Sequence, residues 1–145
     1  MAFPTPVAGL VIRYSYLWQS EHLRGQEEGR KNRPCAIILA TETASGEQVV
    51  TVLPVTHTPP GHTALAIEIP QATKKRLGLD DERSWIVLTE ANRFVWPGPD
   101  LRPIQQNDMS NVAYGLLPAA LTQEVRIKFL TLARARQAKL VPRTE

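Results

Sequence analysis

Two apolar runs separated by one short turn constrain this chain more than any other feature. Cys35-Ala36-Ile37-Ile38-Leu39 and Val49-Val50-Thr51-Val52-Leu53-Pro54-Val55 flank the turn Ala44-Ser45-Gly46-Glu47. Apolar, β-branched residues at this density suit a pleated, buried surface, and a short Gly-containing turn joins antiparallel neighbours. The pair reads as a hairpin with strands over 33–42 and 48–55. Further strands are expected over 9–18, which is rich in β-branched and aromatic residues, and over 64–69, 84–88 and 92–96.

Helices punctuate the remainder. Pro70 can open a short helix over 71–77, and Gly78 can stop it. Pro118 opens a longer helix running to about 139. There Leu117, Leu121, Val125, Phe129 and Leu132 recur at helical spacing and form one apolar stripe to pack on the strands. Residues 19–32, which carry Glu21, Arg24, Glu27, Glu28, Arg30 and Lys31, read as a long exposed loop, and 102–113 as irregular. Short strands with a terminal helix suggest a mainly β fold with helices: a small barrel-like sheet in a single domain of 145 residues.

Cys35 is the lone cysteine, so no intramolecular disulfide can form and a reducing cytoplasm is the default compartment. No apolar run approaches the length of a membrane span, and no secretory leader is expected at the N-terminus. The net charge is +3, but the distribution is uneven. From Arg126 onward six bases (Arg126, Lys128, Arg134, Arg136, Lys139 and Arg143) stand against Glu145. This fits either an anionic partner or a solvated helix face.

The chemistry gathers at the hairpin's open end. Pro34 fixes its own φ and biases Arg33 toward an extended backbone. A guanidinium stays charged and offers a planar fork of donors suited to a phosphate. In an antiparallel hairpin the start of one strand neighbours the end of the next. That should set Arg33 beside Thr56 and His57. A permanent cation, a hydroxyl and a group titrating near neutrality suit RNA cleavage through the 2′-OH. That reaction needs proton removal, charge stabilisation on phosphorus and protonation of the leaving 5′-oxygen. It needs no cofactor. His22, His57 and His62 stand at no ligand spacing with one another or with Cys35, so no metal site is expected. Gly25 and Gly29 are isolated, so no glycine-rich nucleotide loop is expected either.

Four segments resemble the MazF/PemK family of growth-inhibiting toxins from type II toxin–antitoxin systems. They are Gly9-Leu10-Val11-Ile12, the strand Asn32-Arg33-Pro34-Cys35-Ala36-Ile37-Ile38-Leu39, then Val52-Leu53-Pro54-Val55-Thr56, and Glu90-Ala91-Asn92-Arg93-Phe94-Val95-Trp96. The resemblance implies a Src-homology-three-like antiparallel β-barrel that forms a homodimer. It also implies a metal-independent endoribonuclease acting on single-stranded RNA, an mRNA interferase that blocks translation and is restrained by a cognate antitoxin. Arg33 and Thr56 stand at the family's catalytic arginine and threonine, and the loop 19–32 would gate RNA entry. The chain departs from the compact members at His57, in the charged loop, and at the insertion Trp96-Pro97-Gly98-Pro99-Asp100 with the segment before Pro118.

His57 reads as an accessory acid or base, or as a partly buried strand-end histidine. Arg30, Lys31, Trp18 and Arg93 are the candidate RNA contacts. Trp18 also reads as a core residue, and Arg93 equally as an exposed structural arginine. Two other readings stand beside the endoribonuclease: a gyrase poison of the CcdB type, and an inactive toxin-fold binding module.

Overall fold

A computed structural model describes residues 3–25 and 31–143. The hairpin lies at its centre. β2 (Asn32–Glu42) and β3 (Gln48–Thr56) pair antiparallel from Glu42 opposite Gln48 to Cys35 opposite Pro54. β1 (Leu10–Ser15) covers the other edge of β2, with Val11 opposite Ala36. The remaining strands are β4 (Ala66–Glu68), β5 (Trp85–Val87), β6 (Glu90–Trp96), β7 (Ala113–Leu116) and β8 (Lys139–Pro142). The helices are α1 (Gln19–Leu23), α2 (Gln71–Leu77) and α3 (Ala119–Arg134). None of them is long and apolar enough to cross a membrane.

The strand order is β4-β5-β3-β2-β1-β7, and β6 joins β3 and carries β8 in parallel. β3 forks. Its first half, Gln48 to Val52, pairs with β6, whereas Val55 and Thr56 pair with β5. Among the described residues no pairing brings the outer strands β4, β7 and β8 together, so the sheet is open. This corrects the expected Src-homology-three-like barrel, and the MazF/PemK assignment and its growth-inhibitor labels fall with it.

The physical reason lies in the central strands. A small barrel buries one face of each strand and wets the other. Here neighbouring residues go to two separate cores. Val11, Ala36, Ile38, Leu53 and Val55 join Ile69, Leu77, Ile86, Val125 and Phe129 on the face covered by α2 and α3. Ile12, Tyr14, Cys35, Ile37, Val50 and Val52 join Phe94, Trp96, Leu101 and Val112 on the opposite face. That second face is covered by the irregular segment between β6 and β7. Leu101 bridges to Tyr14, and Trp96 Nε1 donates to the Pro4 carbonyl at 3.1 Å. Strands buried on both faces read as unbroken apolar runs rather than alternating ones, which is the pattern of residues 35–39.

Two further expectations change. The C-terminal helix ends at Arg134 rather than near 139. Arg136 turns left-handed at φ 59°, and the amides of Ala135, Arg136 and Gln137 close back onto the last helical turn. Lys139 then donates to the Thr89 carbonyl and opens β8. The six C-terminal bases therefore share no single helix face. Arg143 is buried, with Nη1 donating to the Ser15 carbonyl at 2.9 Å and to Asn92 Oδ1 at 3.0 Å, and Nη2 lying 2.7 Å from Asp100. The expected loop 19–32 begins instead with α1. There a buried Glu21 accepts from the Trp18 amide at 3.1 Å, satisfying a donor that the helix start leaves open.

Candidate functional site

Carrying the β2–β3 register two residues past Cys35 and Pro54 sets Arg33 opposite Thr56. Arg33 Nη1 donates to the Val55 carbonyl at 3.3 Å. Its guanidinium lies 4.9 Å from the Trp18 ring centroid, and Trp18 packs edge-on against Tyr16. Arg33 is thus held by backbone on one side and by an aromatic ring on the other. Its Nε is buried and has no hydrogen-bond partner among the described residues. A buried donor of this kind is uncommon in a folded chain.

Thr56 closes β3, and its hydroxyl oxygen accepts from the Thr58 amide at 3.1 Å. The hydroxyl proton stays available to donate. His57 comes next, with Nε2 2.7 Å from Asp80 Oδ2 and Nδ1 3.7 Å from Glu82.

Asp80 reaches this point because α2 stops at Gly78. The φ of 73° there is left-handed, which glycine adopts without a Cβ penalty. The chain turns back, and Asp80 Oδ1 meets Lys74 Nζ at 2.5 Å. The Lys74 side chain is only 2% exposed. Its ammonium also donates to Ser84 Oγ at 2.6 Å and to the Glu82 carbonyl. All three ammonium protons therefore have acceptors. Partial burial pushes the Asp80 carboxyl up, but the hydrogen bonds from Lys74 and His57 outweigh it and hold the group below its ordinary value. Asp80 is then an anion at neutral pH and receives the His57 Nε2 proton. In that tautomer Nδ1 is the nitrogen able to take a proton.

Lys31, Arg33, Thr56, His57, Lys74 and Asp80 line one cavity of about 460 Å³. Arg33 is brought together with Thr56 and His57, more than twenty positions further on, and Lys31 and Trp18 stand beside them. Arg93 is elsewhere: it is exposed on β6 and lines a groove with Phe129 and Leu140. Arg30, Glu27 and Glu28 lie outside the described residues. Sequence reasoning missed Lys74, Asp80, Glu82 and Ser84. A signal for Lys74 exists, because it shares the buried face of α2 with Leu77 three residues on. The carboxylates come from a loop more than twenty residues past His57, and no spacing rule reaches them.

His57, Asp80 and Glu82 bring one ligand atom each within 4.8 Å of one another, a grouping that the histidine spacing did not reveal. All three are exposed, and Asp80 is already shared with the Lys74 ammonium. The Lys74 ammonium competes with a cation for Asp80, and among the described residues the unneutralised positive charge on the cavity wall is that of Lys31 and Arg33. Comparison of the chain with protein-family models, curated proteins and solved structures gives no match.

Proposed function

We propose that this cavity cleaves the phosphodiester backbone of single-stranded RNA without a metal, through attack of the ribose 2′-OH. The observation that carries the reading is the convergence of Arg33, Thr56 and an Asp80-braced His57 on one cavity. In this reading the phosphate seats against the Arg33 guanidinium where it lines the cavity, and the Thr56 hydroxyl donates to a second oxygen. His57 Nδ1 takes the 2′-OH proton. The 2′-oxygen bonds to phosphorus as the bond to the 5′-oxygen breaks, and that oxygen takes a proton from water. The products are a 2′,3′-cyclic phosphate and a free 5′-hydroxyl, and His57 returns its proton to solvent. Arg33 stabilises the extra charge on the five-coordinate phosphorus, a role worth about 10²–10³ in rate for one well-placed donor. Lys74 does not touch substrate; it positions Asp80, which positions His57. A lone, buried Cys35 fits a reducing cytoplasm as the compartment.

The experiment is cleavage of a labelled single-stranded RNA in the presence of a chelator. Wild type is expected to produce cyclic-phosphate ends. Arg33→Ala is expected to slow cleavage at least about 100-fold with the fold intact, and His57→Ala to slow it about 100-fold. Cleavage that survives Arg33→Ala, or that needs a divalent ion, overturns the reading.

A further inference from the structure

A second cavity, of about 470 Å³, adjoins the first through Arg33, Thr56 and Thr58. The two differ in chemistry. The first carries Lys31, His57, Lys74 and Asp80. The second adds Trp18, Pro59, Pro60, Leu65 and Val87, with Thr89 as a polar group. We infer that this second cavity is a nucleobase subsite, which takes one unstacked base of the strand whose phosphate lies on Arg33; the inference rests on the phosphodiester reading above.

Three features support it. The volume falls within the roughly 300–1,000 Å³ of small-ligand sites, so it admits a base and part of its sugar. The pair formed by the Arg33 guanidinium and the Trp18 ring offers flat, polarisable surface, and stacking on such surface is how single-stranded bases are held. Leu65 is more than one-third exposed, yet its backbone is tied down. Its amide donates to the His62 carbonyl, its carbonyl accepts from the Leu88 amide, and His62 Nδ1 accepts from Ala64 to cap the turn. A side chain on a fixed backbone presents apolar surface to a planar ligand at a reduced ordering cost. Because Arg33 lines both cavities, a base here is adjacent to the reacting phosphate. A base within a duplex is stacked and paired and cannot enter, so the cavity selects single strands and sets a preference at one position beside the cleaved bond.

The test compares inorganic phosphate with the four nucleoside 3′-monophosphates, binding being followed by calorimetry and by the Trp18 indole resonance. At least one nucleotide is expected to bind about tenfold or more tighter than phosphate and to shift that resonance. Leu65→Glu, at an exposed position, is expected to collapse the ratio of the two affinities toward one. An RNA that is abasic beside the cut bond is expected to be cleaved about tenfold more slowly. A ratio near one while intact RNA is still cleaved overturns the base subsite and leaves the cleavage reading standing. Tight nucleotide binding without cleavage of any RNA supports the subsite and overturns the cleavage reading.

Discussion

Removing either end of the Lys74–Asp80 pair should destabilise the protein, and by different amounts. The Lys74 side chain is 2% exposed, whereas that of Asp80 is 47% exposed. Lys74→Met keeps the length and apolar stem. It strips charge-assisted bonds from Ser84 and the Glu82 carbonyl, while Asp80 turns to water. The expected cost is about 2 kcal/mol. Asp80→Asn keeps an acceptor but strands a buried ammonium without a counter-charge, and the expected cost is about 3 kcal/mol or more. With both changed no charge is stranded, so the double variant should cost about as much as Lys74→Met alone. The coupling is then about 3 kcal/mol. Urea unfolding followed by tryptophan fluorescence at pH 7 reads all three. The sign with pH is also fixed. Asp80 has a folded pKa below its unfolded one. Its contribution is present above the unfolded value and is lost as pH falls through the folded one, so the gap between wild type and Asp80→Asn should close in acid. Costs that simply add, or an Asp80→Asn cheaper than Lys74→Met, refute the account.

Glu90 should behave in the opposite sense. Burial raises its carboxyl pKa, more than the hydrogen bonds from the Gln19 amide and the Tyr16 hydroxyl lower it. The charged form therefore costs stability near neutrality, a cost relieved as pH falls through the folded value. Glu90→Gln should raise the urea midpoint at pH 7 and lose that advantage in acid, and a lower midpoint at pH 7 contradicts it. Arg143→Met leaves Asp100 buried without its 2.7 Å partner and should cost about 3–5 kcal/mol in the same unfolding assay. Gly9→Ala meets two obstacles, a φ of 95° and a Cβ placed 2.7 Å from Thr122 Oγ1. It should cost about 1–3 kcal/mol in thermal unfolding, and Thr122→Ala should recover only the part due to contact.

Local chemistry made much of this protein legible in its sequence. The central hairpin follows from the apolar runs and their turn. The bounds of α2 follow from Pro70 and Gly78, and the stripe of α3 from the spacing of Val125 and Phe129. The hairpin also placed Arg33 opposite Thr56, because antiparallel register fixes which residues face each other. Closure of the sheet was not written there. Whether residues such as Ala36 and Ile37 share one interior or serve two depends on what covers each face, and those covers are α3 and the segment between β6 and β7. A resemblance carried by short strand motifs is blind to that choice, which is why it suggested a barrel where the sheet stays open. β8 escaped notice for the same reason: a short parallel strand draws its stability from Ala91 and Asn92 across the ladder, not from its own composition. The site divides along the same line. Sequence supplied Arg33, Thr56 and His57 because strand pairing brings them together. Only the tertiary structure added Lys74 and Asp80, since a buried ammonium and its counter-ion are chosen by the turn at Gly78 and by three acceptors that no local pattern aligns.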